Sequence, residues 1–555
     1  MKKQITALFL IVALVAALLC GCGSTASTDT AASTEAASAD AAETAEAAEP
    51  AVEIQTEATS SDVVSAHVDV MNIASDRDPT NMGPWAGNMG GASAQIPLVY
   101  QTLQIMELNS EAEPCLAKTV TRIDAQTYDV ELFDYIYDSE GNHMTSADIA
   151  WGVDKAKEIG KASQVKTVDS IEITGDYTFT VHFKDTVADG DADNFFCQVF
   201  FVTQAAYEAE GNDMAQHPIG TAQYAMTNYV GGSVITFELR DDYWQTDEQY
   251  IARSSEAHAD TINFQIITEA LQRAIAIESG TLDYGSVTLN DKERLESEGY
   301  GIVPVPDNLT YMIFLNMDEA SVLSSNKELR QAILYGIDNE GISELYTAAD
   351  SVPVYDISNS NYADYYEEEY KSAGDYYTYD AAKAQELLAA SGFDGTLTLI
   401  CSSDEGSVQI AESIKIYLDM LGINVEIESY QSNMMSDVSA DPANWDIYLL
   451  QYASTDYAVN VWEKVLNASK YKWGGTINFV MDEEVQTGLQ EVRSTDGHTK
   501  EGVIAFHNYL VDQAWCKGLI QGIQYYACSS KLDADNVVMS EQRLIRPNAT
   551  IYVGD

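Results

Sequence analysis

The residues in this chain that could do chemistry are seven cysteines, seven histidines and a large excess of carboxylates, 87 Asp and Glu in all. The histidines stand at 67, 143, 182, 217, 258, 498 and 507. No two are four apart, so no helical face offers a metal two imidazoles. The chain has no His-Glu-x-x-His, no Gly-x-Ser-x-Gly and no phosphate-binding loop. Asp189-Gly190-Asp191-Ala192-Asp193 begins as a calcium loop does. It then fails, because Asn194 replaces the glycine of the sharp turn and Phe200 stands where a bidentate glutamate is needed. The run reads as a solvated acidic loop. Carboxylates are so abundant that no pair stands out as an acid–base couple. The sequence therefore predicts no catalytic residue, no metal site and no cofactor.

One cysteine is placed for a specific reaction. Lys2 and Lys3 precede an apolar run, Ile5 to Leu19, which ends in Leu19-Cys20-Gly21-Cys22. The run is short for a permanent bilayer-spanning helix and has the flanks of a secretory signal. It resembles a bacterial lipoprotein signal over residues 1–22. That resemblance makes Cys22 the thiol that takes a diacylglyceryl group and becomes the new N-terminus, and two acyl chains anchor stably. Residues 23–60 carry eight acidic residues, no Lys or Arg and no aromatic, which predicts a disordered acidic tether. Cys115, Cys197, Cys401, Cys516 and Cys528 remain, none in a Cys-x-x-Cys. Cys516 and Cys528 are the closest pair, and spacing alone leaves their bonding open.

The formal net charge is −58, which argues against nucleic acid and anionic lipid as partners of the surface. The elements read as mixed α/β. Tyr177, Phe179, Val181 and Phe183 alternate as in a half-buried strand, as do Ile235, Phe237 and Leu239. Asp380 is placed to cap a helix that ends at Gly392. Thr396 to Ile400 reads as a strand; Ile410, Ile414, Tyr417, Leu418 and Leu421 as one helical face stopped at Gly422; and Ile423, Val425 and Ile427 as the next strand. This is a β-α-β crossover of a parallel sheet.

Several ordered blocks converge on one family. They are Asp124-Ala125-Gln126-Thr127-Tyr128 followed by Met144 to Trp151, Pro218 to Tyr224 with Leu239 to Trp244, Tyr311 to Asn316 with Asn326 to Asp338, and Tyr379 to Leu388. Their order across residues 65–540 resembles the family 5 extracellular solute-binding proteins, the peptide and nickel group of ABC importers. The resemblance implies two α/β lobes of the periplasmic-binding-protein type, joined by a hinge that closes on ligand. It implies a first lobe at 61–305 with an inserted subdomain at about 96–214, a second lobe at 306–515, and a return to the first lobe at 516–555. Expected partners are a small peptide or other solute, an ABC permease with its ATPase subunits, and the membrane through Cys22; the body is expected to be a monomer. A nickel chelate, haem or an oligosaccharide stand as alternative ligands, and a surface hydrolase or adhesin as a different class.

Gly220 is expected to serve a turn, Trp244 to pack, and Arg330 and Asp338 to make buried polar contacts. Ligand contacts are expected at Asp456, Tyr311, Trp85, Ser75 and Tyr452. Asp456 follows the strand-like run Trp445 to Leu450, where peptide-binding relatives carry an Asp that pairs with the ligand's ammonium; the other reading is a surface loop. Tyr311 either lines the cleft or packs. Dipeptide binders tend to carry an Arg before the helix at 408–421, and Glu405-Gly406-Ser407-Val408-Gln409 has none. A longer peptide held by backbone hydrogen bonds fits better. The eight tyrosines of residues 355–379 either wrap a ligand or pack as a long loop.

Overall fold

Alternation of apolar residues sets the strands that begin and end each lobe. The computed structural model describes residues 67–550 except 87–92, 108–111, 125, 185–188, 210–212, 348, 356–376, 433, 454–461, 463–482, 493, 495–498, 531 and 541–543. The signal, Cys22, the tether, Asp456 and most of the tyrosine-rich segment therefore lie outside the described residues. Strand β1 (Val68–Ser75) turns Met71 and Ile73 into the first core. A two-residue ribbon, β2 (Gln104–Ile105) with β3 (Glu113–Pro114), leads into an inserted antiparallel layer. That layer is β4 (Ala117–Arg122), β5 (Thr127–Leu132), β6 (Val168–Gly175) and β7 (Thr178–Phe183), in the order β4-β5-β7-β6.

The helix Ser146–Ile159 belongs to the same layer. Its start is fixed by the Asp148 carboxylate, which accepts from the Thr145 N–H at 2.8 Å, and its end by Gly160 at φ 76°. The acidic run at 189–193, expected to be a loop, opens the helix Asp189–Gln198 instead. Ala192, Phe195, Phe196 and Val199 explain the difference. They recur at helical spacing and are buried in the first core, and that apolar face sets the helix.

The main sheet then builds through the hairpin β8 (Tyr224–Val230) and β9 (Val234–Leu239), β10 (Ala259–Ile266) and β11 (Tyr284–Val287). Strand β12 (Gly301–Leu315) is long enough to leave one lobe and enter the other. The second lobe adds β13 (Ser351–Pro353), β14 (Thr396–Ser402), β15 (Asn424–Tyr430) and β16 (Ile447–Ala453), and β17 (Cys516–Cys528) runs back. Among the described residues one 11-stranded sheet results, in the order β15-β14-β16-β12-β17-β11-β1-β10-β9-β8, with β13 beside β17.

Only β12 and β17 join the two halves of that order. Val303 and Val305 pack in the first core, whereas Ile313 and Leu315 pack in the second. On β17, Leu519 and Ile520 belong to the second core, and Tyr525 and Ala527 pack with the first-lobe helices at 270–278 and 289–297. The chain thus recrosses inside β17 and not at its first residue. Cys516 and Cys528 stand at opposite ends of this strand, roughly 40 Å apart at about 3.3 Å per residue, and they form no disulfide with each other.

Gly220 is required for a close approach and not for a turn. A Cβ there would lie 2.1 Å from the Val99 carbonyl oxygen. Trp244 is buried and donates its indole N–H to Gln101 Oε1 at 3.0 Å and the Thr221 carbonyl at 2.9 Å. Arg330 is buried in the second lobe, its guanidinium on the carbonyls of Leu323 at 2.7 Å and Gln513 at 3.1 Å, and Asp338 is half-buried.

Candidate ligand-binding cleft

Strand direction decides where a ligand can sit, because in open α/β sheets the carboxyl ends of parallel strands form the binding crevice. In the first lobe β1 runs parallel to β10 and β11, and they end at Ser75, Ile266 and Val287. In the second lobe β14 runs parallel to β15 and β16, and they end at Ser402, Tyr430 and Ala453. Val287 is paired with Tyr525, which is paired in turn with Pro304 of β12; Ala453 is paired with Leu309 of β12. Both sets of ends therefore converge on residues 304–310. There the pairing of β12 with β17 shifts register, between Pro306 and Thr310.

The second-lobe wall is built at the start of the helix Glu405–Leu421. Asp404 caps it, accepting from the Ser407 N–H at 2.9 Å. Burial works against the Asp404 charge, but hydrogen bonds from the Ser407 N–H, the Ser407 hydroxyl and Ser402 outweigh it and hold the carboxyl below its ordinary range. The same charge, after burial, raises the Cys401 thiol to about 11. Gly406 lets the helix reach two phenols: a Cβ there would lie 2.7 Å from the Tyr311 oxygen and 2.8 Å from that of Tyr346. The two rings meet edge to face with centroids 5.9 Å apart. Burial, then Tyr346 and the Asp404 charge, push the Tyr311 phenol far up, so it is a neutral group at any physiological pH.

The first-lobe wall is a turn tied by one carboxylate. Asp78 accepts from the Thr80 N–H at 3.0 Å, the Gly232 N–H at 2.6 Å and the Tyr229 phenol. Burial opposes its charge, but these bonds win and hold it low, while burial and then Asp78 push Tyr229 up to about 12. Ser75 donates to the Arg77 carbonyl at 2.7 Å. Beside the crossing, the Tyr525 hydroxyl donates to Asp350 at 2.5 Å.

The structure brings three of the expected contact residues to this region. Ser75 ends β1, Tyr311 lies just past the crossing on β12, and Tyr452, one residue before the end of β16, lies opposite Thr310; all three are buried. Trp85 is placed elsewhere. It is 3% exposed in the first core, its ring lies 5.9 Å from Trp151 and 5.5 Å from Tyr207, and its indole N–H donates to the Phe200 carbonyl. Packing accounts for it. Sequence reading placed Asp78 in the first-lobe segment that touches ligand, and missed Tyr229, Asp404 and Gly406. Asp404 was findable, since it precedes its helix as Asp380 precedes another, and Asp380 does accept from the Lys383 N–H.

Residues 111–463 match the sequence profile described as bacterial extracellular solute-binding proteins, family 5 middle. The chain belongs to this family. Family 5 members are solute-binding proteins and not enzymes. Among its relatives is the oligopeptide-binding protein AppA of Bacillus subtilis, 22% identical over 380 residues, a match covering 63% of this chain and 66% of that one. The chain thus spans just under two thirds of that relative's length. The fold is that of the ABC transporter substrate-binding protein CtaP of Listeria monocytogenes, with a TM-score of 0.72 at 19% identity over 89% of this chain and 100% of that one. It is also that of NikZ of Campylobacter jejuni, solved with Ni(L-His), with a TM-score of 0.62 at 17% identity over 84% and 95%. The family's two-lobe architecture agrees with the two cores joined by β12 and β17.

Proposed function

We propose that this family 5 protein captures oligopeptides between its lobes and delivers them to an ABC permease, held at the outer face of a bacterial membrane by lipid on Cys22. The observation that carries the reading is the convergence of strand ends from both lobes on the crossing at residues 304–310. A ligand there touches both lobes and so favours the closed form over the open one. Ser75, Tyr311 and Tyr452 are the proposed wall contacts, and Asp456 the proposed partner of the peptide ammonium, by charge-assisted hydrogen bonding. Trp85 is left out of the set.

The first turn at Glu405-Gly406-Ser407 carries no arginine for a peptide carboxylate, and Asp404 holds its N-terminus. Main-chain hydrogen bonds to an extended peptide would then supply the affinity, which favours chains longer than two residues. The test is native mass spectrometry of the gently purified body, followed by acid release. Co-purifying peptides of mixed sequence are expected, and their masses give the length range. A single non-peptide mass or a metal chelate would overturn the peptide reading.

A further inference from the structure

Segments at 97–106, 161–164 and 197–200, the start of β8 and residues 544–548 together line a cavity of about 380 Å³ in the first lobe. That volume lies within the range of small-molecule pockets, roughly 300–1,000 Å³. No described residue of the second lobe lines it, so it is separate from the cleft.

Its walls are aromatic and preset. Trp85, Tyr100, Phe200 and Tyr243 contribute rings. Gln101 is fixed at both ends of its amide: the nitrogen donates to the Tyr243 oxygen at 3.1 Å, and the oxygen accepts from the Trp244 N–H at 3.0 Å. Gln223 donates to the Ser255 carbonyl at 2.7 Å, and Gln164 donates to Gln198 at 3.1 Å. Polar walls already locked by their own hydrogen bonds need little ordering when a ligand enters.

Charge gives the ligand its sign. The chain carries 87 acidic residues, yet no Asp or Glu is among the described residues lining this cavity, whereas Lys161 and Arg546 are. The nearby Glu107 carboxylate is engaged by the Ser254 N–H at 2.6 Å. Lys161 is exposed and within reach of solvent. In a chain of net charge −58, a cavity whose described lining holds Lys161 and Arg546 and no carboxylate favours an anion.

We propose that this cavity is a second binding site, taking a small aromatic anion and filling without closure of the lobes. It goes beyond the peptide reading and does not depend on it. The probe is anilinonaphthalene sulfonate, an aromatic anion that fluoresces in apolar surroundings, titrated into the intact protein. Lys161→Glu reverses the charge at the opening, Ser163→Trp obstructs it from an exposed position, and Lys415→Glu is the same charge reversal in the second lobe. Saturable binding is expected, weakened about tenfold or more by K161E and S163W and unchanged by K415E, with unchanged melting temperature as the check on folding. K161E alone suffices if S163W folds poorly. Absence of saturable binding, or equal affinity for K161E and K415E, would overturn the proposal.

Discussion

Gly406 stands where any side chain would collide with two phenols, Tyr311 and Tyr346. Gly406→Ala is expected to displace Tyr311 or Tyr346 and to destabilise by about 1–3 kcal/mol, the range for overpacking. Urea denaturation measures it; wild-type stability would show that the phenols yield freely. Asp404→Ala removes the cap of the helix Glu405–Leu421 and is expected to lose about 1 kcal/mol at neutral pH. The pH dependence has a definite sign. The folded carboxyl is held below its unfolded value of about 3.9. Its contribution is complete above that value and disappears as pH falls through the lower folded one. The wild-type and D404A stabilities should therefore converge only in acid; a gap that widens on acidification would contradict the assignment.

At the scale of elements, one buried lysine ties the crossing strand to the second lobe. Lys517 of β17 is 1% exposed, and its ammonium donates to the carbonyls of Leu334, Ile337 and Tyr377 at 3.0, 2.9 and 2.8 Å. Leu334 lies in the last turn of the helix Lys327–Gly336, where unpaired carbonyls and the helix dipole both favour a cation. Lys517→Met is expected to cost at least about 3 kcal/mol, since several buried carbonyls lose their donor together. A loss below 1 kcal/mol, roughly that of one ordinary hydrogen bond, would mean that the lobe does not rely on this tie.

Sequence legibility followed the range of the interaction. The β-α-β unit of β14, its helix and β15 was readable because its signals are local: alternation, an Asp cap, and Gly422 at φ 95°. The helix Asp189–Gln198 was obscured because five residues of acidic run drew attention from apolar spacing that extends past it. The union of the lobes was expected only from the family resemblance. It rests on β12 pairing with β17 along both lobes, from Val303 with Tyr526 to Ile313 with Lys517, which no local pattern announces. The site was no more legible: no strand was read at Tyr311 or Tyr452, so neither could be placed from the sequence itself. Trp85 could not be placed either, since a core tryptophan and a cleft tryptophan look alike in sequence.

At the scale of the whole molecule, both lobes share one sheet, and among the described residues β12 and β17 are the strands that run from one lobe to the other. Closing the lobes would bend these two strands, the kind of hinge that a bridging ligand can bias. The central claim is that ligand does so, toward the closed form. Small-angle X-ray scattering tests this most directly, on the ligand-stripped protein before and after the acid-released pool is restored. A smaller radius of gyration with ligand bound is the expected result. Tight binding with an unchanged radius would contradict lobe closure.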